Sequence, residues 1–583
     1  MITAVWKRLW DMHDETKALV LFSPKVMFKT FTQKHNLFSY SDHDTEHDID
    51  LADEIDEAPA EHNQRLQSTP GGVEEGEPRE YTMRQKLGLI LGPILFILML
   101  VIATPAGMSL EAQRMAAVAL LMATWWMCES IPIPATSLLP ITLMPLLGIM
   151  DTKQATAPYA SQLIFLFIGG FIIALAMQRW DLHRRIAMNI VRVVGFSPSR
   201  LIFGFMAATA ALSAFVSNTA TTVMMMPIGL AIITHVITEG KKEGLDKEID
   251  FSPEKFAFGL NLMLGIAYAA SIGGMATLIG TPPNTVLAGY LNKTYGYEIT
   301  FASWLKIGVP LVAVFLPLCW LWLTRIANPM KLKKVPGGRE LINKELREMG
   351  SMSAGERWTA IIFLCTALGW IFRAKIGFLF PEPKMVTDAA IAMTGALLLF
   401  LIPINLKKNL FVMDWHWASK MPWGVLILFG GGLSMAAGFK STKLADWIGS
   451  QVSLLEAAPV LILVIAVTAL IIFLTELTSN TATSAMVMPI LSAVAIGLGQ
   501  SPLLLVVPAA IAASCAFMLP VATPPNAIVF GSGYVTIPQM VKSGFGLNII
   551  GVVITVLATY LLVFPVLDVA VGELPTWVST LAK

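Results

Sequence analysis

Ser217-Asn218-Thr219-Ala220-Thr221 runs on through Met225-Met226-Pro227-Ile228, and the stretch returns as Ser479-Asn480-Thr481-Ala482-Thr483, running on through Val487-Met488-Pro489-Ile490. The two copies stand 262 residues apart. Each is followed by a second shared stretch, Thr281-Pro282-Pro283-Asn284 and then Thr523-Pro524-Pro525-Asn526, 242 residues apart. Nearly everything around these polar islands is apolar. In hydrocarbon an unpaired backbone group has no water to turn to, so such an island persists where it is buried in protein or lines a site. Two matched pairs of islands, one in each half, are the sign of a transport site at the interface of structural repeats. The repeat extends further: Gly169-Gly170 matches Gly431-Gly432, and Leu182 matches Leu444, at the same offset of 262.

Composition sets the solvent. Of 583 residues, 55% are hydrophobic and 14% charged, and mean hydropathy is +0.66, which is a membrane composition. A net charge of +1 gives no hint of a nucleic-acid partner. Cys128, Cys319, Cys365 and Cys515 lie in apolar stretches without metal or disulfide spacing and read as buried thiols. Residues 1–22 mix Trp6, Leu9 and Trp10 with charges; they fit an interfacial amphipathic helix or a disordered arm, and they lack the uninterrupted core of a cleavable signal. The acidic stretch 41–79 reads as a solvated linker.

A spanning helix needs about 20 apolar residues. Spans are expected near 87–104, 113–128, 136–150, 161–178, a broken 256–290, and 305–324. The second half repeats the pattern at 358–373, 386–404, 421–439, a broken 502–531, and 545–566. The arms flanking each Ser-Asn-Thr, 201–216 with 220–237 and 457–478 with 482–499, read as re-entrant hairpins with the motif at the tip. The fold class expected is therefore an all-α polytopic membrane protein of about eleven transmembrane helices plus two hairpins. With the N-terminus inside, the richest basic segments (Arg179 to Arg192, Lys241 to Lys247, Lys331 to Lys334, Lys407 and Lys408) fall on the cytoplasmic side. Five crossings separate the two halves' equivalent elements, so the second hairpin enters from the opposite face, as in an inverted repeat.

Ser, Asn and Thr are preferred helix N-caps. At a hairpin tip they would cap the outgoing arm and turn its positive dipole end and free N–H groups toward an anion. The prolines of Thr-Pro-Pro-Asn are expected to break their helices near Gly280–Asn284 and to free carbonyl oxygens, which suit a hard cation. Ser213 precedes Ser217 by one turn, and Thr475 precedes Ser479, so each pair would face one way. No Lys or Arg occurs between Leu201 and Gly240 or between Leu454 and Gln539. A bound anion would then rely on dipoles and co-bound cations, because charge moved uncompensated through a bilayer is costly. A lone Ser-Asn-Thr would read as helix–helix hydrogen bonding; two copies, each with its matched Thr-Pro-Pro-Asn, read as a site. Glu129 stands at a span end and reads as interfacial. Glu476 has Ala214 as its repeat partner, which argues against a proton-carrying role in a symmetric site.

These motifs, together with Glu129-Ser130-Ile131-Pro132 and Leu519-Pro520-Val521-Ala522-Thr523-Pro524-Pro525-Asn526-Ala527-Ile528, resemble the divalent anion/sodium symporters, which include the INDY dicarboxylate transporters. The resemblance covers about residues 86–570. It implies a homodimer in which a transport domain moves as an elevator against a fixed scaffold. It implies one sodium at positions matching Ser213, Ser217, Asn218 and Gly280, and a second at Thr475, Ser479, Asn480 and Ala522. Substrate carboxylates would meet Asn218, Thr219, Thr281, Asn480, Thr481, Thr523 and Pro524. The parts become a polar arm (1–85), scaffold helices (86–200), transport elements (201–325), a loop with scaffold helices (326–456), transport elements (457–570) and a tail (571–583). The function implied is sodium-coupled symport of C4-type dicarboxylates, in a bacterial inner membrane with the N-terminus cytoplasmic. Sodium-coupled sulfate or oxyanion symport and dicarboxylate exchange share the same skeleton. A channel would need an open pore, and an enzyme would need a metal cluster, a nucleophile–base pair or a phosphate loop, none of which the sequence displays.

Overall fold

Inside a bilayer a helix pairs its own N–H and C=O groups, and the described apolar segments of this chain are mostly helical. The computed structural model describes residues 81–579 except 336, 383–384 and 452–457; the segments expected at 1–22 and 41–79 lie outside the described residues. The first half runs α1 (Met83–Val101), α2 (Leu110–Cys128), α3 (Leu139–Leu146), α4 (Gln162–Arg179) and α5 (Leu182–Val194). A helix–turn–helix follows, α6 (Pro198–Ser213) and α7 (Asn218–Lys242), then the broken span α8 (Ala257–Gly274) and α9 (Pro282–Tyr295), then α10 (Phe301–Leu321). The second half runs α11 (Gly338–Glu348), α12 (Ala354–Ile371), α13 (Asp388–Leu401), α14 (Trp423–Ser441) and α15 (Leu444–Ser450). The pattern then repeats: α16 (Val460–Thr475) and α17 (Asn480–Gly497), α18 (Leu503–Ala512) and α19 (Pro524–Phe530), and α20 (Ile537–Ala558). Among the described residues the strands are a short antiparallel pair, Pro403–Asn405 with Leu410–Phe411.

Eight helical segments of the described chain are long and apolar enough to cross a membrane, with four shorter apolar ones beside them. The eight include α7 and α17, the outgoing arms, so helix length alone does not separate arms from crossings. The span expected at 136–150 is two pieces, Ile133–Thr136 and the eight-residue α3, because Pro140 has no N–H with which to continue the first piece into the second. Two of the basic segments contain helices. Arg184 and Arg185 lie on α5, and the loop after α10 contains α11. Arg184 pairs with Glu345 of α11, while Arg185 Nε donates to Glu356 Oε1 at 2.7 Å. Counting charges hides the helical spacing that these segments carry. Of the four cysteines expected to be buried, Cys319 and Cys515 are; Cys128 is half-buried and Cys365 exposed.

The repeated glycines have a structural reason. A Cβ on Gly169 would stand 2.6 Å from the Ala392 carbonyl carbon, and one on Gly431 would stand 2.4 Å from Ser137 O. Each repeat thus closes the helix that carries its Gly-Gly pair onto a neighbour through a bare backbone. The offset of 262 also relates Asp181 (φ 55°) and Lys443 (φ 57°), non-glycine residues in the left-handed region that open α5 and α15.

Candidate functional site

Both motif serines stand as N-caps. Ser217 opens α7 and its Oγ accepts from Ala220 N at 3.3 Å; Ser479 opens α17 without a side-chain cap bond. The arms before them end at Ser213 and Thr475. The expected one-turn alignment of Ser213 with Ser217, and of Thr475 with Ser479, is therefore absent, because the helix stops and residues 214–217 and 476–479 turn. Each earlier hydroxyl instead reaches the motif asparagine. Ser213 Oγ lies 2.7 Å from Asn218 Oδ1 and 2.7 Å from Ala270 O. Thr475 Oγ1 lies 2.6 Å from Asn480 Oδ1 and 3.1 Å from Ala513 O. One hydroxyl proton faces two acceptors in both copies, so three oxygens converge beside each tip.

The Thr-Pro-Pro-Asn stretches do not break the helices; they start the next ones. Thr281 and Thr523 are the N-caps of α9 and α19, and the prolines fill the first helical positions, where a missing N–H leaves nothing unpaired. The breaks lie upstream, at 275–281 and 513–523. Their freed backbone groups can be accounted for one by one. Thr277 Oγ1 donates to Ala214 O at 2.5 Å and accepts from Gly280 N at 3.0 Å. Trp304 Nε1 donates to Met275 O at 3.0 Å. Tyr268 donates to Phe517 O at 2.7 Å, tying the two broken spans together. No donor among the described residues meets Gly280 O or Ala522 O. A Cβ on Gly274 would stand 2.6 Å from Asn218 Oδ1 and 3.2 Å from Gly280 O, so both oxygens lie close beside that glycine.

The halves are interlaced. The outgoing arm α7 packs against α19 of the other repeat, and α17 packs against α9. Asn218 and Thr219 thereby open a helix beside the one that Thr523 and Pro524 start, and Asn480 and Thr481 open one beside the helix that Thr281 starts. Thr481, Thr281 and Thr523 are buried, whereas Thr219 and Pro524 are exposed. The two asparagines of the tips are half-buried.

Two charged residues complete the picture. Glu476, at the second tip, is 3% exposed. Its carboxylate accepts from Phe517 N (2.7 Å), Met518 N (2.9 Å), Leu519 N (3.2 Å) and Asn548 Nδ2 (2.7 Å). Four donors meet this one carboxylate, and they pin the second break to the hairpin. Its counterpart Ala214 does a similar job with a backbone carbonyl through Thr277. Arg84 was invisible to the sequence reading, which found no cation near the tips. From the first turn of α1 its Nη1 donates to Leu477 O of the second tip at 2.6 Å, while Nη2 stands 3.4 Å from Glu129 Oε1. Arg84 and Leu477 stand 393 positions apart in sequence, so no local pattern could have signalled this.

Residues 84–567 match the family described as sodium:sulfate symporter transmembrane region. A sodium-dependent dicarboxylate transporter, SdcS, of Staphylococcus saprophyticus is 46% identical over 499 residues, 85% of this chain and 95% of that protein. SdcS of Staphylococcus aureus is 45% identical over 498 residues, 85% and 94% of the two chains. In fold, the chain is similar to the Alcanivorax borkumensis YdaH transporter (TM-score 0.51, 13% identity, covering 84% of this chain and 99% of that one). It is similar to the same degree to Neisseria gonorrhoeae MtrF (TM-score 0.51, 14% identity, covering 84% and 97%). With the paired motifs inside the matched range and the described chain built almost wholly of apolar helices, the protein belongs to the sodium:sulfate symporter family, the divalent anion/sodium symporters, and is an integral membrane transporter, not an enzyme.

Proposed function

We propose that this chain is a sodium-coupled symporter of C4-type dicarboxylates such as succinate, malate or fumarate. The observation that carries the reading is the matched pair of oxygen clusters, Ser213–Asn218–Ala270 and Thr475–Asn480–Ala513, each beside the N-terminus of an outgoing arm. Sodium is the co-transported ion. One ion takes oxygens from Ser213, Ser217, Asn218 and the free carbonyl of Gly280, the other from Thr475, Ser479, Asn480 and the free carbonyl of Ala522. The substrate's two carboxylates meet Asn218, Thr219 and Thr281 on one side and Asn480, Thr481, Thr523 and Pro524 on the other. The N-termini of α7 and α17 add positive ends there. Each asparagine then touches both ion and anion. Cation binding fixes its Oδ1 and leaves its Nδ2 aimed at a carboxylate, which is how one affinity comes to depend on the other. Loaded together, two cations largely neutralise a dianion, which lowers the cost of carrying it through hydrocarbon.

The names of the Staphylococcus relatives support the dicarboxylate. The description of the family favours sulfate as the second reading. A homodimer, an elevator motion of the transport elements 201–325 and 457–570 against the scaffold helices, and a bacterial inner membrane with the N-terminus cytoplasmic complete the proposal. Uptake of labelled succinate into proteoliposomes, with a sodium or a choline gradient and with sulfate, malate and fumarate as competitors, tests it. Sodium-driven uptake blocked by malate and fumarate is the expected result. Competition by sulfate alone would transfer the assignment to oxyanions, and uptake unaffected by sodium but driven by internal dicarboxylate would make the protein an exchanger.

A further inference from the structure

The fourth residue of each Thr-Pro-Pro-Asn stretch has no part in the ion or substrate sets above, yet its side chain is used in the same way in both repeats. Asn284 Nδ2 donates to the carbonyls of Thr277 (2.8 Å), Gly274 (3.3 Å) and Met275 (3.4 Å). Asn526 Nδ2 donates to the carbonyls of Leu519 (3.0 Å) and Ala516 (3.2 Å). Both residues are 0% exposed. In both, Oδ1 has no hydrogen-bond partner among the described residues. A flipped amide would set Oδ1 against these carbonyls, so the donor end is fixed where it is. A bare buried acceptor is unfavourable, and a side chain kept only to fill space would have none. The amide is there for its N–H groups.

Those N–H groups act on the carbonyls that a helix break sets free. Each asparagine starts the outgoing half-helix and reaches back across the break to hold two or three oxygens on the far side. Gly280 O and Ala522 O, each inside its break and one residue before the motif threonine, are left without a donor among the described residues. We propose that Asn284 and Asn526 are positioning residues: by taking up the upstream carbonyls they fix the shape of the unwound segments and so preset the spacing of the oxygens that receive each sodium. The inference rests on the sodium positions proposed above.

The test uses the full-length protein in proteoliposomes, with labelled succinate as substrate and Ser213→Ala as the reference for a lost ligand. Asn284→Ala and Asn526→Ala should each raise the sodium concentration for half-maximal uptake by about tenfold, since each net hydrogen bond counts for roughly a factor of two to ten. The KM for succinate at saturating sodium should stay within about twofold on the same scale. Preference for sodium over lithium should narrow, because a slack ring of oxygens can close on the smaller ion. The same sodium shift should appear, without substrate, in a sodium titration of the melting temperature of the purified protein. Asn284→Ser and Asn526→Ser, which keep one donor, should fall between, and they carry the test if an alanine variant does not reach the membrane. A sodium curve and a lithium ratio like the parent's, with only less active protein, would overturn the proposal and make both asparagines fold stabilisers. If Ser213→Ala shifts the sodium curve while Asn284→Ala does not, the positioning role alone fails. If neither moves it, the sodium positions themselves are wrong.

Discussion

At the scale of single residues, the tip asparagines and the hydroxyls that touch them divide the work. Asn218 and Asn480 each stand at a helix start with Oδ1 engaged by a hydroxyl. Asn218→Ala and Asn480→Ala should each abolish sodium-driven uptake with normal membrane levels; near-parental uptake by either would remove that asparagine from the site. Ser213 and Thr475 are 0% exposed and bond inward. Ser213→Ala and Thr475→Ala should therefore raise the sodium requirement roughly two- to tenfold, the worth of one polar contact, without reordering competing dicarboxylates. A sodium titration with a competitor panel checks both halves of that statement. Glu476→Gln keeps the shape but turns an amide toward backbone N–H groups. It should lower the stability of the purified protein by roughly 1–3 kcal/mol, the scale of buried hydrogen-bonding groups left unpaired. An unchanged melting temperature would show that the four donors find other partners.

At the scale of elements, two features come in symmetric pairs that the sequence displays but does not explain. The hairpins end one turn earlier than their apolar runs suggest, because the chain must reverse and the motif must begin the next helix. Helices α5 and α15 both start from left-handed, non-glycine residues, Asp181 and Lys443. Sparsely populated backbone of this kind costs of order 1–3 kcal/mol and persists where surrounding structure imposes it. A β-branched side chain fits it worst. Asp181→Val and Lys443→Val should each destabilise the protein by roughly 1–3 kcal/mol, while Asp181→Gly and Lys443→Gly should come close to neutral. Melting temperatures of the four variants decide it, and equal effects of Val and Gly would mean that the backbone is not what matters there.

At the scale of the whole molecule, the fold is carried by the matched range 84–567, and its first described helix starts at Met83 under a capping box from Thr82. The acidic, polar stretch ahead of it lies outside both repeats. Deleting residues 1–80 should leave sodium-driven uptake within about twofold of the parent, since no site residue lies there and surface changes away from packed features rarely matter. A truncated protein that inserts normally but does not transport would assign that stretch a part in the cycle.

The sequence by itself determined the class, the repeat and the tips. Apolar runs, matched islands and caps are local properties, and a bilayer enforces them residue by residue, since each segment must satisfy its own backbone. It also located the first break to within a few residues, but centred it on the prolines rather than ahead of them, because a proline pair is as compatible with starting a helix as with ending one. Only the tertiary structure decided which oxygens converge. Ser213 meets Ala270, Thr475 meets Ala513, and Glu476 gathers the N–H groups of 517–519. It alone set α7 against α19 and α17 against α9, and brought Arg84 to Leu477. These are contacts between residues far apart in the chain, chosen by how whole helices pack, and no pattern within one stretch encodes them.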